Sequence, residues 1–476
     1  MHIARTVAVL SIGLLTLCRA IAAPPAPLLA PVSPEDAAAD LNELIAVFAE
    51  VHPNAFWARP EEAVRNDAAM IASEAPMPLL EFFRRAQLLV VSLDDPHSWV
   101  NVPGWTTHRD GGGPVMPMDL KFSESGAVVV FSPDEASLPR GARAMSINGE
   151  PVAALMSRFR PLSGAADDPF GLEDLSFKFR RFCWAFEGWG ESFEVAFVGP
   201  SGGDGSATLR GVSAEEYARL KKQAVVMDAE PYSFSITPDG FGLIEFRSCI
   251  EPERMLKFID EVFARLKHES IPGLVIDARD NTGGGDDVWR PLVQHFADKP
   301  FSAYAGSRFR VSQRIKDKKG REEFINGYGD RAWETPAGTW IDYRTEPDDL
   351  TPPSDSPLRY TGPVCVLAGP RTFSSGMSFI AAVKAYGLGT VIGQETGGRV
   401  KGFGQWVEFA LPRTKMTIAV STKEFIGAVD VPYRRGVPPD IAVGDDPAAL
   451  RYSAGDAAYQ EAVRVLRAKS GRAAPE

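Results

Sequence analysis

Two adjacent serines, Ser374 and Ser375, stand in RTFSSGMSF (residues 371–379), between an apolar strand-like run and a helix-like run. Serine is favoured at a helix N-cap, where its oxygen accepts a free backbone N–H, so capping is one reading of the pair. Nucleophilic attack is the other. At a helix N-terminus the dipole and the unpaired N–H groups favour a developing oxyanion, and a serine there still needs a base. His97, in the turn SLDDPHSW after an apolar helix, is the candidate base; a loop histidine bonded to backbone is the bland alternative. His52 and His268 close helices, where a cation suits the dipole, and His108 and His295 have no motif around them. A third stretch, DARDNTGGG at 277–285, follows an apolar run. Its glycines let backbone approach a ligand closely and can aim N–H groups at an anion. The phosphate-loop pattern G-x-x-x-x-G-K-[ST] is absent.

The elements around these residues alternate. SPEDAAADLNELIAVFAEV reads as a helix, with Ser33 as cap, Pro34 at the first position and apolar residues at helical spacing. MPLLEFFRRAQLLVVSL is a second helix that delivers His97 on the following loop. Residues 115–200 are read as β-rich, from GAVVVFS, ARAMSING and SFEVAFVG. From 240 onward strands and helices alternate, which implies a parallel or mixed sheet with crossover helices. In such sheets chemistry gathers at the carboxyl ends of strands, and the glycine and serine turns both sit at such ends. The stretch 300–356, polar and aromatic with weak periodicity, is read as an insert or substrate-facing lobe.

In this order the motifs resemble the S41 serine peptidases, the tail-specific or C-terminal processing proteases and their tricorn-like relatives. GLVIDARDNTGGG is similar to that family's D-x-R-x-N-x-G-G signature, GPVCVLAGPRTFSSGMSF to its nucleophile segment, VIGQETGG to the strand after it, and RRGVPPDIAV to its terminal G-V-x-P-D-I. LDDPHS resembles the L-x-D-x-H-[ST] motif of the tricorn-like branch. The resemblance implies an α/β fold with a ClpP/crotonase-like core, a small N-terminal helical domain (35–110) and a PDZ-like β-rich insert (111–225), in which VMPMDL would be the carboxylate-facing strand. The core would span 226–450, with a C-terminal helix and tail at 451–476. It also implies a serine-type peptidase that needs no cofactor or metal and takes a peptide or protein substrate.

Carried over position by position, the resemblance makes Ser374 the nucleophile, with Ser375 as a rival one place on. The oxyanion hole would use Gly283 or Gly284 together with the Ser375 N–H. Processing proteases use a lysine base where this chain has Arg399, which stays protonated; Lys401, two places on, is the alternative base. The tricorn-like branch uses histidine, which favours His97. That branch also orients its base with a glutamate, but Tyr433 stands in the expected place, so Asp430 is the nearest acidic candidate. Asp94 and Asp95 are read as turn caps. A missing orienter leaves a second expectation open, a weak or inactive peptide-binding protein on the same fold.

The bulk properties are compatible with this. The net charge of −11 argues against nucleic acid or an anionic membrane surface as partner. Residues 1–22 have a basic start, an apolar core and an AIAA site, which reads as a secretory signal followed by a Pro/Ala linker at 23–34. The expected location is outside the cell or in the periplasm, with lipidation at Cys18 disfavoured by the leucine before it. No later stretch is long and apolar enough to span a membrane. Cys249 and Cys365 lie in apolar runs and are read as buried thiols. No C-x-x-C or H-E-x-x-H pattern suggests zinc.

Overall fold

The computed structural model describes residues 23–164, 169–224, 230–447 and 449–471; the expected signal segment lies outside them. Its centre is a six-stranded sheet in the order Tyr232–Ile236, Gly242–Phe246, Leu274–Asp277, Val364–Ala368, Thr390–Gly393, Ile441–Ala442. The first pair is antiparallel and the rest are parallel. Every residue of Leu274–Asp277 and of Val364–Ala368 is buried, as expected of parallel strands covered on both faces. Leu274, Ile276, Val364 and Val366 pack under the helices Pro252–His268, Asp286–Gln294 and Ser375–Tyr386. Val275, Cys365 and Leu367 face the C-terminal helix Ala457–Ser470 through Ala458, Tyr459, Ala462 and Leu466. The core is therefore three layers, helix on sheet on helix.

Its N-terminal helix runs Pro34–Val51, and the Ser33 side chain accepts the Asp36 N–H as its cap. A further helix, Glu61–Ser73, precedes Leu79–Val91. The β-rich unit is an antiparallel sheet in the order Asp119–Ser123, Gly126–Phe131, Arg143–Ile147, Ser192–Val198, Asp204–Arg210. It also holds a long helix, Pro169–Glu187, that the β-rich reading omitted. Leu175, Phe179, Phe182 and Phe186 recur there at helical spacing, and the first three are buried.

The 300–356 stretch is more regular than its weak periodicity suggested. Tyr304–Arg310 and Trp340–Arg344 join Thr417–Gly427 and Lys401–Ala410 in one antiparallel sheet. This second sheet matters for the site. Trp99–Val100 adds to its long strand opposite Ala419 and Ile418, and the Ser421 N–H donates to Ser98 Oγ at 3.1 Å. The loop carrying His97 is thereby stitched to the same sheet. Cys183, Cys249 and Cys365 are free and buried.

Candidate active site

The turn between Val364–Ala368 and the helix Ser375–Tyr386 is held from below. Thr372 Oγ1 donates to the Ala278 carbonyl (2.8 Å) and accepts the Gly369 N–H (3.1 Å), while the Phe373 N–H donates to the Asn281 carbonyl (2.9 Å). These bonds clamp the serine turn to the segment leading into the glycine loop. Ser374 sits at the cap position with φ 52° and ψ −128°, and its side chain makes no capping hydrogen bond. A non-glycine residue held at such angles costs about 1–3 kcal/mol and needs a surrounding structure that enforces it. The same sharp strand–turn–helix geometry presents nucleophilic serines in other hydrolases. Ser375 differs: its Oγ donates to the Gly284 carbonyl at 2.8 Å, so its hydroxyl is spent on the loop. The two serines are thus unequal in what they have left to offer.

The glycine loop comes very close. A Cβ on Gly283 would lie 2.7 Å from Ser374 Cβ, and one on Gly284 would lie 2.0 Å from the Cys249 carbonyl oxygen. Both have φ in the range that favours glycine, 102° and 139°. The Gly283 N–H donates to Asn281 Oδ1 at 2.9 Å. Among the described residues the Gly284 and Ser375 N–H groups have no acceptor. Of the two glycine donors named by the sequence, Gly284 is therefore the uncommitted one.

His97 lies beside this turn. Its ring stacks on Phe373 at 4.4 Å between centroids, and Phe373 stacks in turn on Phe170 at 4.1 Å. His97 Nε2 is buried and has no hydrogen-bond partner among the described residues, so it is bonded to neither serine hydroxyl. Burial pushes the imidazole below its ordinary value; the Asp95 carboxylate opposes that, and the Arg399 guanidinium adds to it.

The two aspartates before His97 do different work. Asp95 is fully buried and accepts the His97 N–H (2.9 Å), the Ser98 hydroxyl (2.5 Å) and His52 Nε2 (3.2 Å). His52 Nδ1 accepts the Asn54 N–H at 3.0 Å, so its proton resides on Nε2 and points at Asp95. Burial, the largest influence on Asp95, would raise its pKa; the bond to His52 and the fields of His52 and His97 outweigh it and hold the carboxyl below the usual range. Asp94 faces the other way. It binds Arg399 Nη2 at 2.8 Å and Arg434 Nε at 2.7 Å.

The remaining sequence candidates are not brought to His97. The Asp430 side chain is fully exposed and pairs with Lys401 at 3.2 Å. A solvated carboxylate tied to a lysine does not orient a buried imidazole, and the same bond occupies Lys401. Tyr433, in the place expected for glutamate, donates to Glu424 Oε1 at 3.0 Å. The sequence does not single out Asp95 and His52, since a turn cap and a helix-end histidine look ordinary one at a time.

The signature's charged residues are structural. Arg279 is 3% exposed and binds Asp277 (2.7 Å) on its own loop and Asp456 (2.7 Å), which also caps the C-terminal helix. Among the described residues no cluster of His, Cys, Asp and Glu could hold a metal ion, and no helix is long and apolar enough to cross a membrane.

Residues 241–443 match the sequence model of peptidase family S41. No curated relative matches the sequence. Among solved structures, a mutant of CPAF superposes with a TM-score of 0.63 at 15% identity, covering 92% of this chain and 97% of that one. Mature CPAF complexed with lactacystin gives 0.59 at 14% identity, over 92% and 98%. The photosystem II D1 C-terminal processing protease gives 0.50 at 16% identity, again over 92% and 98%. At these identities the structures show a shared fold over nearly the whole chain, and residues 241–443, the core with its glycine loop and serine turn, are the part that is similar in sequence to peptidase family S41.

Proposed function

We propose that the protein is a serine-type peptidase in which His97 takes the Ser374 proton and Ser374 attacks a substrate peptide carbonyl. The tetrahedral oxyanion is received by the Gly284 and Ser375 N–H groups. Collapse to an acyl-enzyme expels the amine, which takes the proton from His97, and water then hydrolyses the ester by the same proton route. The observation that carries this reading is the Ser374 conformation: φ 52°, at a cap position its side chain does not use. Asp95 takes the part expected of Asp430. It holds the His97 loop by the backbone and supplies the negative charge that favours the imidazolium formed during attack. Residues 1–22 are read as a cleaved secretory signal. N-terminal sequencing of the mature protein beginning near residue 23 would support that, and an intact Met1 would oppose it.

A fluorophosphonate probe tests the nucleophile directly, because a competent serine becomes modified at one mappable position. Labelling at Ser374 supports the proposal. The unbonded His97 Nε2 favours a second reading, a peptide-binding protein without turnover. A folded sample that takes up no label would select it.

The pH profile carries a further expectation. The base must be neutral to act, and burial holds His97 below its ordinary value. The acid limb of kcat/KM therefore lies below about pH 6.5. Asp95→Asn removes the charge that raises the His97 pKa, so this limb moves to still lower pH while the plateau falls by about 10²-fold. A limb that stays in place, with the rate unchanged, would show that Asp95 only braces the turn.

A further inference from the structure

A cavity of about 690 Å³ opens between the β-rich unit and the core, away from the Ser374 hydroxyl. Its wall carries eight basic and five acidic side chains, an excess of positive charge in a chain whose net charge is −11. The acids are already engaged. Asp119 accepts from Arg180, Tyr217 and Lys221, Asp280 pairs with Arg451, and Asp445 pairs with Lys121 and Arg451. Arg140, on the β-rich wall, and Arg371, on the core wall, each keep a buried Nε–H with no acceptor among the described residues. A buried charged donor without a partner costs more than a neutral one, so two on the two walls of one cavity point to a shared anionic ligand. Met116, Met118, Phe131 and Phe179 add an apolar stretch to the wall.

Strand addition, the mode by which an extended peptide joins a sheet edge, is obstructed here. Asp119–Ser123 is an edge strand, but the chain's own helix Pro169–Glu187 lies along that edge. Ser176 Oγ accepts the Phe122 N–H at 3.0 Å, and Arg180 Nη2 donates to the Met118 carbonyl at 3.3 Å. Met118, Asp119, Leu120 and Lys121 of this stretch all line the cavity. The expected carboxylate-facing strand VMPMDL therefore borders the cavity with part of its edge already taken by the helix.

We propose that this cavity binds a compact organic oxyanion, a carboxylate or phosphate group on a short apolar body, held between Arg140 of the β-rich unit and Arg371 of the core. Such an occupant ties the two units together at Arg371, three residues before Ser374, and at Thr282, beside Gly283. The proposal does not depend on the peptidase reading, because its test reads binding alone.

Calorimetric titration of the full chain with phenyl phosphate, phenylacetate, inorganic phosphate and phenol is the test. Phenyl phosphate or phenylacetate binds at least about tenfold more tightly than phenol and than inorganic phosphate. Arg140→Gln and Arg371→Gln each weaken that binding by about tenfold or more; Arg140→Gln, remote from the serine turn, decides if Arg371→Gln fails to fold. Equal affinity for phenol, equal affinity in both variants, or no binding by any of the four compounds overturns the proposal. A peptide with a free apolar C-terminus distinguishes the source of the oxyanion. If it binds more tightly than both aryl anions and loses binding on C-terminal amidation, the occupant is a chain end, and the compact-ligand proposal fails.

Discussion

Ser374→Ala lowers peptidase turnover by about 10⁴-fold or more, to the residual rate that binding and oxyanion donors sustain without a nucleophile. Ser375→Ala costs far less, about tenfold, because it removes the hydroxyl bond to Gly284 and keeps the backbone N–H. The asymmetry follows from the structure of the pair. One serine has an unusual backbone and an uncommitted side chain; the other has an ordinary helical start and a committed one. Single-turnover rates on a general peptide substrate, with circular dichroism to confirm folding, measure both. The reverse order of effects would move the nucleophile one residue on. Equal, small effects would remove hydrolysis by this turn altogether.

Arg279→Met destabilises the protein by about 3–5 kcal/mol, the cost of leaving a buried carboxylate without its cation. Asp277 and Asp456 are both nearly inaccessible, and Arg279 is the shared partner that holds each carboxyl below the ordinary range against its own burial. Adding Asp277→Asn to Arg279→Met recovers part of the loss, since one fewer buried charge then lacks a partner. Urea unfolding midpoints of the two variants decide the matter. A loss below about 1 kcal/mol, the level of a surface ion pair, would mean that the network relaxes into solvent. The variant also bears on the site, since Asn281, two residues on, ties the glycine loop to the serine turn through its carbonyl and side chain.

Local order in the core was legible in the sequence. The buried runs LVID and VCVLA, the helix between Ser375 and Tyr386 and its stop at Gly387 follow from composition and period. Pairings that close over long separations were not. Nothing in YAGSRFR announces that it joins a strand more than a hundred residues later. The candidate base could be named because His97 sits in a recognisable motif. Its neighbours could not, because His52 and Asp95 meet only after the first helix folds back against the loop, and each has an ordinary local explanation. Asp430 shows the converse: proximity in sequence to a motif does not bury a carboxylate, and this one is solvent-exposed and paired with Lys401. The helix Pro169–Glu187 shows a different kind of miss, for its apolar spacing is readable, but the strands around it drew the whole stretch into one class.

The bond between Arg279 and Asp456 also imposes an order in time. Arg279 leaves the ribosome 177 residues ahead of its second carboxylate. By then His97 has long been made, and Ser374 and Ser375 follow well before residue 456. Every group proposed to act chemically thus exists in the growing chain while the strand beneath the glycine loop still lacks a wall. The C-terminal helix supplies that wall, so the sheet beneath the glycine loop is completed only when the last helix docks.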